Sequence, residues 1–158
     1  MKNYRLRKYI FLTLIILTVA FIFSQSLHGR ASSDAQSGRV LSAVLWVLQG
    51  LGFSPDPGVL HHFVRKAAHF TEFAALGIFS GGFAYNLGKL QNRRCLVLPL
   101  TLPLAVAICD ELLQNFTGRS CEVADMALDY AGALFGLGIV VICVFIQNKR
   151  ARRKEHEN

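Results

Sequence analysis

The ionisable residues that could do chemistry fall in three short stretches. These are Lys66, His69 and Glu72, then Asp110, Glu111 and Gln114, then Arg119 followed by Asp125 and Asp129. On a helix, positions three, four and seven apart stack on one face. Lys66, His69 and Phe73 therefore share a face, Asp110 aligns with Gln114, and Asp125, Asp129, Gly132 and Gly136 form a stripe. Lysine and arginine among carboxylates suit an anionic ligand. Lys66 and Arg119 would meet a phosphate or carboxylate, while Asp110, Glu111, Asp125 and Asp129 would orient them or bind amines and sugar hydroxyls. His69 beside Asp110 or Glu111 could instead act as a general acid or base, tuned by burial and by Lys66.

Each of these residues also has a structural role open to it. Glu122 and Asp125 begin a helix, where the dipole favours acids. Arg65 and Lys66 can snorkel to a membrane surface, and His69 can bridge two helices. Asp110 beside Glu111, and Asp129 a turn deeper than Asp125, resist that explanation, because carboxylates within a span are costly without partners. The spacing points to no metal and no cofactor. His61, His62, His69 and Glu72 form no His-Glu-x-x-His, and Cys95, Cys109, Cys121 and Cys143 form neither a paired motif nor a disulfide framework.

The elements that position these residues are apolar. Of 158 residues, 53% are hydrophobic and 17% charged, with a mean hydropathy of +0.38. The charged share is below that of soluble domains, and the apolar residues come in long blocks. This pattern predicts an all-α polytopic membrane bundle with four transmembrane helices at about 9–24, 60–85, 95–114 and 123–146. The first span follows a basic arm and is read as an uncleaved anchor. An outer loop covers 25–59. Within it, residues 24–37 read as exposed loop, and Val40, Leu41, Val44, Leu45, Leu48 and Leu51 repeat at helical spacing. That short helix would either lie in the outer headgroup layer or pack against the bundle. A basic cytoplasmic tail takes up 147–158.

Twelve of the 17 basic residues flank the spans on one side, so the positive-inside rule puts both termini in the cytoplasm. Six of the ten acids then gather in the outer half, with Arg65, Lys66, His69 and Arg119 at the same level. Gly77-x-x-x-Gly81 and Gly132-x-x-x-Gly136 are small-residue packing signals. Together they suggest a compact bundle with a polar pocket opening outward. The net charge of +7 belongs to the membrane flanks, and no folded domain is left to present a nucleic-acid patch.

The stretches FSQSLHGRASS, VRKAAHFTEFAALG and ICDELLQNFTGRSCEVADMALDYAGALFG resemble the VanZ-like family of small bacterial membrane proteins. The family's Lys-x-x-His is matched by Lys66 and His69, and its Asp-Glu-x-x-Gln by Asp110, Glu111 and Gln114. Arg119 stands where the family places an arginine, Asp125, Asp129 and Gly132 match Asp-x-x-x-(Asp or Asn)-x-x-Gly, and Ser24 and Gln25 fit as well. The chain departs from the family at Glu72-Phe73, where many relatives are Tyr-rich, and at Cys121-Glu122.

The family is named for a component linked to teicoplanin resistance. The resemblance implies a bacterial envelope protein whose outer pocket binds a lipid-tailed or lipid-linked ligand, lowering susceptibility to such glycopeptides. The alternative is an intramembrane acid/base enzyme acting on a lipid-linked envelope precursor. Ion transport along the acids, and a bundle merely held together by buried ion pairs, are the remaining readings.

Overall fold

The computed structural model describes residues 2–27, 30–93, 95–117 and 122–156. Among them are five helices: α1 (Lys2–Leu27), α2 (Arg30–Gly50), α3 (Pro57–Gln91), α4 (Val97–Phe116) and α5 (Val123–His156). α3 is the central element and packs against all four others. The carboxylate of Asp56 starts it by accepting from the backbone N–H groups of Gly58 (2.8 Å) and Val59 (3.0 Å), with Pro57 at the first position, which needs no N–H bond. Asn92 stops it in the left-handed region (φ 52°), its N–H donating to the Gly88 carbonyl.

α3 and α5 run parallel. A Cβ on Gly132 would collide with the Phe70 carbonyl oxygen, one on Gly136 with that of Ala74, and one on Gly77 with that of Ala133. Backbone therefore meets backbone along this seam, which any side chain would hold apart. α1 runs antiparallel to α3, with the Phe11 ring filling the space over Gly82. α4 lies parallel to α1, since the Thr117 hydroxyl at its C-terminus donates to the carbonyl of Ser26 near the end of α1 (3.2 Å). One end of the bundle thus carries the C-termini of α1 and α4 and the N-termini of α3 and α5.

The interior is a small apolar cluster of Ile15, Ile22, Phe73, Leu76, Val106, Ala107 and Ala133. Ser26, Asp110, Glu111, Gln114 and Asp129 are buried, whereas Ile16, Leu17, Phe21, Phe135, Ile142 and Phe145 are exposed. An apolar exterior of this extent is suited to lipid and would aggregate in water. By length and composition, three of the described helices can cross a membrane: Asn3–Leu27, Val97–Phe116 and Val123–Arg153. α3, the fourth expected crossing, is not among them. Its 35 residues are ample, but Arg65, Lys66, Glu72 and its glycines lower its hydropathy.

One sequence expectation is corrected. The stretch 24–37, read as exposed loop, is helical wherever it is described: α1 continues to Leu27 and α2 begins at Arg30. Ala31, Ala35 and Gln36 favour helix, and isolated serines cost only a few tenths of a kcal/mol each. α2 packs against α3 yet leaves Val40, Val47 and Trp46 exposed, Trp46 at 78%. The basic stretch from 147 continues α5 as helix to His156, because Gln147, Lys149, Arg150 and Ala151 hold no breaker.

Candidate functional site

The polar residues converge at the end of the bundle where α3 and α5 begin. Asp110 on α4 is fully buried. One of its carboxylate oxygens accepts from the Ser26 hydroxyl of α1, and the other accepts from the Gln114 side-chain amide at 2.7 Å. The i, i+4 alignment of Asp110 with Gln114 is thus a hydrogen bond, and the partner across the interface comes from α1. Glu111, 1% exposed, points toward α5, where its Oε2 accepts from the backbone N–H of Glu122 at 3.1 Å. That contact satisfies an amide just ahead of α5, one of the donors a helix start leaves unpaired.

α3 contributes Lys66, His69 and Glu72 to the same end. Lys66 Nζ lies 2.7 Å from Asp125 Oδ1 at the first turn of α5, with the two side chains 31% and 24% exposed, so this ion pair forms the rim. One turn deeper, ligand-capable atoms of His69, Asp110 and Asp129 all lie within 4.8 Å of one another. Asp129 is 2% exposed. The Oε2 of Glu72, one turn further along α3 from His69, is buried without a hydrogen-bond partner among the described residues. Two carboxylates, from α4 and α5, therefore meet one half-buried histidine of α3. Such an arrangement persists in a medium of low dielectric where opposite charge or bound protons offset the carboxylates.

Of the residues singled out in the sequence, Lys66, His69, Asp110, Glu111, Gln114, Asp125 and Asp129 come together here. Arg119 and Cys121 lie outside the described residues. Cys95 before α4, Cys109 on α4 and Cys143 on α5 are free thiols. Ser26 was missed, because the first span was ended before it. Its signal is nevertheless present: Ile15, Ile22 and Ser26 recur at 0, +7 and +11, on the buried face of a longer helix.

The expected outward pocket is nearly closed. The cavity bordered by Lys66, His69, Glu111, Gln114, Asp125 and Asp129 measures about 10 Å³, room for a single water or ion. A much larger groove, about 630 Å³, lies at the opposite end between α3, α4 and α5, with Lys89 and Arg93 at its edge and apolar walls from Leu137, Val140 and Val144. Its lining holds none of the seven clustered residues.

Neither the curated proteins nor the solved structures contain a match to this chain. Residues 10–145 match the VanZ/LLP1 family, a stretch that takes in α2, α3, α4, most of α1 and α5, and every member of the buried cluster. With the bundle and its polar end so arranged, the chain belongs to the VanZ/LLP1 family and is a helical membrane protein.

Proposed function

We propose that this chain is a VanZ-like protein of the bacterial cytoplasmic membrane, with four crossings, both termini in the cytoplasm and the polar end of the bundle at the outer leaflet. There it engages the anionic or polar part of a lipid-tailed or lipid-linked ligand, and so lowers susceptibility to teicoplanin-type glycopeptides. The observation that carries this reading is the Lys66–Asp125 rim standing over buried carboxylates in a bundle whose outside is apolar. Lys66, with Arg65 beside it, supplies the positive charge an anionic headgroup would meet, while the apolar flanks accept the tail. A cavity of about 10 Å³ has no room for a headgroup, so the ligand docks at the rim and exchanges with Asp125 for Lys66.

The close approach of His69 to Asp110 and Asp129 also favours a second reading, an acid/base enzyme acting on a lipid-linked precursor. Teicoplanin susceptibility of a sensitive bacterium expressing the chain tests the first reading, beside equally abundant Lys66→Glu and Asp110→Asn variants. Protection by the wild type and its loss in both variants is the expected result. If the wild type gives no protection, the resistance reading is overturned. Conversion of a purified lipid precursor, abolished by His69→Ala, would replace binding with catalysis.

A further inference from the structure

We propose that His69, Asp110 and Asp129 bind one divalent first-row transition metal ion, drawn from three helices at the buried end of the bundle. One imidazole nitrogen and two carboxylate oxygens make a mixed donor set, suited to Mn²⁺ or Zn²⁺ and, without thiolate, ill suited to Cu(I). Their ligand-capable atoms already lie within 4.8 Å of one another. Donors about 2.1 Å from an ion sit roughly 3–3.5 Å apart, so closure needs side-chain movements on the order of 1 Å.

Three further observations point to a ligand there. Asp129 is 2% exposed, and among the described residues it accepts no hydrogen bond and forms no ion pair. Glu72 Oε2, buried one turn along α3 from His69, likewise has no hydrogen-bond partner among them. The cavity that His69 and Asp129 border is the size of one ion or water. Asp110 is also held as ligating carboxylates are: Ser26 and Gln114 each donate to one of its oxygens, fixing the plane of the carboxylate. A bound dication would offset the charge that Asp110 and Asp129 bring into one buried site. Lys66, which borders the same cavity together with Arg65, is engaged with Asp125 at the rim.

The inference shares its residues with the ligand reading but does not depend on it, because the metal can be assayed without any lipid. The tag-free full chain, purified in detergent and stripped with chelator, is titrated separately with Mn²⁺ and Zn²⁺. The expected result is one equivalent bound and a raised unfolding temperature. Binding should weaken at least tenfold in Asp129→Asn and His69→Ala, and about 10- to 100-fold in Ser26→Ala, which removes one of the two groups orienting Asp110. Less than a tenth of an equivalent of either ion in the wild type overturns the proposal, as does unchanged affinity in folded Asp129→Asn. Should Asp129→Asn fail to fold, the paramagnetic resonance of Mn²⁺ in the wild type decides. Hyperfine coupling to an imidazole nitrogen supports the site, and its absence refutes it.

Discussion

Asp110 shows how much a single buried carboxylate organises. It holds the end of α1 through Ser26 and the last turn of α4 through Gln114, so it acts as a tie between elements whatever else it binds. Asp110→Ala would leave two buried donors without an acceptor, at about 1–3 kcal/mol per group. Thermal unfolding in detergent should therefore show a lower Tm for Asp110→Ala than for Asp110→Asn, whose amide oxygen still accepts one bond. Equal Tm values for the two variants would mean that Ser26 and Gln114 find other partners. The alignment of Asp110 with Gln114 was legible in the spacing, as was that of Asp125 with Asp129. The Ser26 contact was not, because it joins residues 84 positions apart and depends on how α1 and α4 lie side by side.

At the scale of elements, the α3–α5 seam sets the geometry of the cluster. Gly132 and Gly136 let the two helices approach until backbone touches backbone, and this brings His69 on α3 next to Asp129 on α5. Gly136→Val would push against the Ala74 carbonyl, which no rotamer change relieves. A loss of about 1–3 kcal/mol is expected, as for an overpacked core. Gly138 has nothing within 4 Å of where a Cβ would stand, so Gly138→Ala should change stability by less than about 0.5 kcal/mol. Denaturant titration of both variants in micelles checks the contrast, and comparable losses would show that the seam is not the close contact described. The glycine repeats were visible in the sequence. That one glycine pair faces the backbone of the other's helix followed only from the parallel packing of α3 and α5.

At the scale of the whole molecule, the bundle inverts the soluble pattern, with carboxylates inside and leucine, isoleucine and phenylalanine outside. The orientation proposed above makes an expectation for alkaline phosphatase fusions, which are active only outside the cytoplasm. Fusions after residue 53 or 121 should be active, and fusions after residue 92 or 156 inactive. An active fusion after 156 would place the C-terminus outside and move the polar end to the cytoplasmic leaflet.

Hydropathy, charge placement and helical spacing are local properties, readable along one strand of sequence. They were enough to indicate an all-helical membrane bundle, three of its apolar helices and the family. The continuation of α1 through Ser26 and the helical start of α2 were misread, because serine and glutamine are nearly neutral between loop and helix, and packing against neighbours decides. The distances between helices had no local signal at all. They come from which glycines meet which backbone, and they turned the expected open pocket into a cluster with room for one water or ion, where His69, Asp110 and Asp129 meet.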